Sequence, residues 1–166
     1  MYNELCKIPS DINEHLPTLR DLASECTHIT EMGVRKIVST WALLEGMKEG
    51  KLIGIDICLP SYYGGDLDKF GRACQEKGIE FTFIHGNTLY VEIEETDLLF
   101  IDTLHTYDQL RKELERHSDK ARKYIVFHDT VSCPELNQAI DELIAKGKWK
   151  LFKHYENNNG LKILCL

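Results

Sequence analysis

Three short runs constrain the fold more than any other feature of the chain: "LIGIDI" at 52–57, "DLLFI" at 97–101 and "YIVF" at 124–127. Apart from Asp56 and Asp97 near their ends, each is continuously apolar and rich in β-branched or aromatic residues. A strand with one face in water alternates apolar with polar, whereas a strand covered on both faces does not. Helical patterns separate the runs. "DLDKFGRACQEKG" ends in glycine, and "TYDQLRKELERHS" carries Leu110 and Leu114 on one face. Strand alternating with helix predicts an α/β fold, doubly wound around a mostly parallel sheet.

The remaining segments fit that frame. "HITEM" and "IEFTFIH" read as further strands, and "STWALLEGMKEG" as a helix closed by glycine. "PELNQAIDELIAKG" reads as a helix with proline in its first turn. Within an N-terminal helical segment, 1–27, "SDINEHLPTLRDLASEC" predicts a helix capped by Ser10, with Pro17 weakening or kinking it near its start. "WKLFKHYE", "NNNG" and "LKILCL" predict a C-terminal antiparallel β-hairpin, because asparagine and glycine accept positive φ. No repeat or long linker divides residues 1–166, so one domain is expected.

The formal net charge of −7 disfavours nucleic acid and anionic membrane surfaces as partners. The basic stretch "RKELERHSDKARK" interleaves acids with its bases, as a solvated helix face does. No apolar run approaches the ~20 residues of a membrane span. The six cysteines include no C-x-x-C pair, and the first residues, "MYNELCKIPS", are polar and charged. Reduced thiols and a cytoplasmic setting are expected.

Ligands of such sheets bind beyond the carboxyl ends of the strands. Asp56, Asp102, His128 and Asp129 all fall at such ends. Carboxylates suit magnesium or manganese, and an imidazole tilts the choice toward manganese or a later transition metal. Asp102, His128 and Asp129 are therefore candidate metal ligands. His105, three residues past Asp102, could act as a general base, since its ordinary pKa of about 6.5 suits that work. In "TEMGVRKIVSTWALL", Glu31 and Gly33 lead from a strand into a helix opening at Ser39-Thr40, where helix amides and Ser39 could meet a carboxylate or phosphate. Taken singly, each of these residues also reads as a cap or a local hydrogen-bonding group. Their convergence on one sheet edge favours a site.

"TEMGVRKIVST", "GIDI", "GNT", "DLLFIDTLHTYDQL" and "KYIVFHDT" occur in the order found in class I S-adenosylmethionine-dependent methyltransferases. Over residues 10–166 the chain resembles their cephalosporin-hydroxylase-like and sugar O-methyltransferase branch, which is related to the metal-dependent catechol-type enzymes. The resemblance implies a Rossmann-like fold. It implies that Glu31, Gly33 and Ser39 hold the methionine part of S-adenosylmethionine, that Asp56 takes its ribose and that Asn87 lies beside its adenine. Asp102, His128 and Asp129 match the positions that bind a divalent metal, magnesium or manganese. His105 falls where catechol-type enzymes keep a catalytic lysine, so His105 and Asp102 are the expected catalytic pair. The acceptor would be a small hydroxylated molecule such as a sugar.

Three departures stand out. Ile37 replaces the second glycine of the first motif, where it would crowd the cofactor. His128 replaces a carboxylate. Only "TVSC" separates the fifth strand from the next helix. That short span leaves the acceptor pocket to be completed by a second copy of the chain, or left as an open cleft. Two other classes of function stay open: a Rossmann-like binding module without methyl transfer, and a metal-dependent hydrolase or hydroxylase.

Overall fold

The computed structural model describes residues 1–166. Seven strands form one sheet: β1 (His28–Met32), β2 (Gly50–Asp56), β3 (Ile79–His85), β4 (Thr96–Ile101), β5 (Ala121–His128), β6 (Lys150–Tyr155) and β7 (Leu161–Cys165). Their spatial order is β3-β2-β1-β4-β5-β7-β6. The first five strands pair in parallel, and β7 runs antiparallel to both β5 and β6. The helices are α1 (Tyr2–Leu5), α2 (Leu16–Ala23), α3 (Val38–Gly46), α4 (Leu67–Lys77), α5 (Tyr107–His117) and α6 (Leu136–Ala145).

The unbroken apolar runs are explained by two cores, one on each face of the sheet. Alternate residues of β4 divide between them: Leu98 and Phe100 pack with α2, α3 and α4, while Leu99 and Ile101 pack with α5 and α6. In β5, Val126 joins the first core, and Ile125 and Phe127 join the second. Each such side chain, fully removed from water, contributes roughly 1.5–3 kcal/mol.

Local chemistry sets the helix ends. Asp66 accepts the Lys69 N–H at 2.9 Å and so caps α4, which Gly78 closes at φ +74. Thr106 caps α5 by accepting the Gln109 N–H at 3.4 Å. The hairpin turn uses positive φ at Asn158, Asn159 and Gly160.

The N-terminal helix differs from expectation. A 3-10 turn over Asn13–His15 precedes α2, and the Ser10 side chain does not cap the helix. Pro17 lies in the first turn of α2, where its missing N–H costs nothing, so it neither breaks nor kinks the helix. Likewise α3 opens at Val38, after Ile37 in the left-handed region at φ +59, and not at a Ser39 cap. Gly46 is its last residue and Met47 turns directly to extended backbone, so no left-handed glycine closes it.

The winding direction reverses between β1 and β4, which opens a crevice at their carboxyl ends. There Gly33 and Asp102 come together. A Cβ built on Gly33, whose φ is +87, would stand 1.9 Å from the Asp102 carbonyl oxygen. Only glycine fits.

Candidate functional site

Asp102 follows β4, His128 is the last residue of β5, and Asp129 comes next in left-handed backbone at φ +59. Adjacent parallel strands bring these ends together. One ligand atom from each of Asp102, His128 and Asp129 lies within 4.8 Å of the others. His105 returns on the loop after β4. Its Nε2 stands 3.2 Å from Asp102 Oδ1 and 3.0 Å from Asp129 Oδ2.

His128 is oriented from behind. Its Nε2 lies 3.0 Å from the Asp11 carbonyl and 3.3 Å from the Asn158 carbonyl, so that nitrogen carries a proton. Its Nδ1 is buried and without a directed hydrogen bond, yet stands 3.2 Å from Asp129 Oδ2 and 3.5 Å from Asp102 Oδ1. A buried nitrogen aimed between two carboxylates fits a divalent cation, with the backbone carbonyls fixing the ring as outer-shell partners do. The donor set of oxygens plus one imidazole suits manganese or magnesium.

Without a cation, protons balance the cluster. Hydrogen bonds that its ring donates to the Asp102 and Asp129 carboxylates raise His105 to about 10. Burial opposes the charge on His128, but the same two carboxylates overcome it and raise that ring to about 10 as well. Burial likewise works against the charges on Asp102 and Asp129, yet both are held below the usual carboxylate range by the two imidazoles, and Asp129 also by Ser132. Both rings are therefore imidazolium at neutral pH, and His105 in this state is an acid rather than a base.

The other expected residues surround two cavities of about 400 and 330 Å³ that share Gly33, Arg35 and Asp102 in their walls. Asp56 and Asn87 line the larger, and Ser39 the smaller. Asp56 is already engaged: Oδ2 accepts the Val34 and Arg35 N–H groups and Oδ1 that of Cys58, each at 2.8 Å. One acceptor position remains on Oδ1, enough for a single hydroxyl rather than a bidentate grip. Glu31 is fully buried behind Ser39, whose hydroxyl donates to it. Burial raises Glu31 to about 8, against the pull of that hydrogen bond. Ile37 does not enter either cavity. It is 3 % exposed and packs into the core with Leu16 and Phe70, so the missing glycine does not crowd the crevice.

Several residues of this region escaped the sequence reading. Thr88, Thr103 and Gln109 line the larger cavity, and all three donate to the buried Glu113. A signal for Glu113 existed: it falls on the buried stripe of α5 with Leu110, Leu114 and His117, where a charge is out of place. His15 is buried with its ring centroid 5.9 Å from that of His128. Nothing local marked Asp11 or Asn158, which act through backbone carbonyls. All six cysteines are free. No helix is long and apolar enough to cross a membrane.

No protein-family model and no curated protein matches the sequence. Solved structures do match the fold. An O-methyltransferase of tomaymycin synthesis from Streptomyces achromogenes, in complex with S-adenosylmethionine, is 13% identical with a TM-score of 0.71, over 96% of this chain and 81% of that one. A Bacillus cereus O-methyltransferase in complex with S-adenosylhomocysteine is 13% identical with a TM-score of 0.67, over 99% of this chain and 90% of that one. A Staphylococcus aureus protein provisionally assigned as a caffeoyl-CoA O-methyltransferase is 15% identical with a TM-score of 0.71, over 99% of this chain and 88% of that one. At such identities the likeness shows the fold alone: the chain has the Rossmann-like α/β fold of S-adenosylmethionine-dependent methyltransferases.

Proposed function

We propose that this chain is an S-adenosylmethionine-dependent O-methyltransferase, assisted by a divalent cation, that acts on a hydroxyl of a sugar or other small polar acceptor. One observation carries the reading: the unpartnered Nδ1 of His128 faces Asp102 and Asp129 beside a cavity of nucleoside size, at the switch point of a methyltransferase-like sheet. S-adenosylmethionine supplies an activated methyl group, and a divalent cation supplies Lewis acidity toward the acceptor hydroxyl.

The protein's own residues hold the parts in place. Gly33 leaves backbone bare where the two cavities meet. The free backbone amides at the start of α3, that of Ser39 among them, take the amino-acid carboxylate. Asp56 takes one ribose hydroxyl on its remaining acceptor position, and Asn87 lies beside the base. Asp102, His128 Nδ1 and Asp129 hold the cation, magnesium or manganese. To hold a cation, His128 Nδ1 would have to be free of its proton and the two carboxylates engaged, which would relieve His105 of the partners that keep it charged, so that its Nε2 could take the acceptor's proton. In-line placement of oxygen and methyl carbon supplies most of the remaining gain.

A second reading has its own support. Two acids and two imidazoliums already neutralise one another, so the cluster could be a structural ion network in a binding module. Incubation with S-adenosylmethionine, manganese or magnesium, and a panel of sugars and small polyols, read by mass spectrometry, tests the proposal. A product heavier by one methylene that depends on the metal is expected. Binding of S-adenosylhomocysteine without product, and without any metal effect on melting, would favour the module.

A further inference from the structure

Glu113 is 0 % exposed, and its carboxylate gathers three donors. The Thr88 hydroxyl reaches Oε1 at 2.5 Å, the Gln109 amide nitrogen reaches the same oxygen at 2.8 Å, and the Thr103 hydroxyl reaches Oε2 at 2.8 Å. A hydroxyl has one hydrogen, so both threonines have spent theirs on Glu113. A carboxylate only accepts, so Gln109 must present its nitrogen, which also lies 3.3 Å from Thr88 Oγ1. The Gln109 Oε1 is left without a protein partner. Thr88, Thr103 and Gln109 all line the cavity of about 400 Å³. Their hydroxyl and amide hydrogens are therefore all spent within the wall, which leaves only lone pairs for a ligand in the cavity. Next to them, Asn87 Oδ1 accepts the Leu89 N–H at 2.8 Å, which leaves the Asn87 amide nitrogen as the donor of that side chain.

We propose that Glu113 is a positioning residue that polarises this wall, so that the cavity selects a purine carrying a 6-amino group over a 6-oxo purine. Adenine offers an N–H pair at position 6 beside a ring-nitrogen acceptor, which matches the threonine and glutamine lone pairs beside the Asn87 donor. Hypoxanthine offers the reverse, an oxygen beside a ring N–H, and sets lone pair against lone pair. A site built this way rejects the mismatched partner strongly, because its buried polar groups are left unpaired. Glu113 touches no ligand itself. It acts by fixing which way three other side chains present their hydrogens. This deepens the cofactor assignment above and rests on it.

Calorimetric titration with S-adenosylhomocysteine and its 6-oxo analogue, S-inosylhomocysteine, tests the idea without turnover. The wild type should bind the adenosyl form about tenfold or more tightly than the inosyl form. In Glu113→Gln an amide NH2 replaces one accepting oxygen, so one hydroxyl turns its hydrogen to the cavity, and the preference should shrink to about threefold or less. Should that variant fail to fold, Thr103→Val removes a single acceptor at a half-buried position. It should weaken the adenosyl form by about fivefold and leave the inosyl form nearly unchanged. Equal binding of both ligands by the wild type overturns the polarity assignment alone. A folded Glu113→Gln that keeps the wild-type ratio, or a Thr103→Val with unchanged adenosyl affinity, overturns it as well. Binding of neither ligand by the wild type overturns the cofactor reading and this inference together.

Discussion

Replacing Asp56 by alanine should destabilise the protein as well as weaken any nucleoside bound beside it. The carboxylate accepts three backbone N–H groups at 2.8 Å, from Val34, Arg35 and Cys58. Each hydrogen bond to a charged group is worth roughly 1.5–3 kcal/mol, but the full sum is not lost. Arg35 is exposed and Cys58 half-buried, so water can take over their amides. Val34 is 2 % exposed, and its N–H would stay unsatisfied at a cost of roughly 1–3 kcal/mol. A net loss of about 2–4 kcal/mol follows, which for a chain of this size lowers the melting temperature by roughly 4–15 °C. Urea denaturation followed by circular dichroism measures it. Asp56→Asn should fall in between, since an amide oxygen facing Val34 and Arg35 keeps two bonds while its NH2 opposes the Cys58 amide. If Asp56→Ala keeps its unfolding free energy within about 0.5 kcal/mol of the wild type, the carboxylate does not organise the loop after β1, and its role must lie with a ligand alone.

Three more predictions concern the same edge of the sheet. Manganese should raise the melting temperature of the wild type but not of Asp129→Ala, and its affinity should climb from pH 6 towards 10, because its binding must release protons from His105 and His128, whose pKa values are raised to about 10; a pH-independent affinity, read by calorimetry, would contradict that release. Gly33→Ala drives a Cβ to 1.9 Å from the Asp102 carbonyl oxygen at a φ of +87, so it should cost about 3 kcal/mol or more and abolish the manganese shift; near-wild-type melting would show that the end of β4 yields freely. Glu31 is raised to about 8 from an ordinary 4.5, so the folded state binds the extra proton and stability contributed by that proton is complete below about pH 4.5 and lost as pH rises through 8; Glu31→Gln should flatten the fall in urea midpoint between pH 6 and 9, and an unchanged slope would place the titration elsewhere.

Much of the architecture was legible in the chain because the signals were local. Unbroken apolar runs predicted strands covered on both faces, and alternate residues of β4 and β5 do enter separate cores. Asp66, Thr106 and Gly78 mark helix ends by chemistry that needs only neighbouring residues. The Ser10 cap failed for a long-range reason. The Ser10 carbonyl accepts from Asn158 Nδ2 at 2.7 Å, 148 residues away, and ties the segment to the hairpin turn ahead of α2.

The sequence alone determined that acids and imidazoles would stand at the ends of parallel strands, because each strand carries its terminal residue with it and the alternation of elements dictates the sheet. Tertiary structure alone decided what those residues do to one another. The distance from His105 to Asp129, the two carbonyls that turn His128, the Val34 and Arg35 N–H groups on Asp56, the burial of Ile37 and the Thr88 hydroxyl on Glu113 all join residues remote in sequence. Proton affinity and hydrogen-bond direction depend on separations of a few ångströms and on exclusion of water. Neither quantity exists along an unfolded chain. Both arise only when the strands pair and the loops at their ends close over one another.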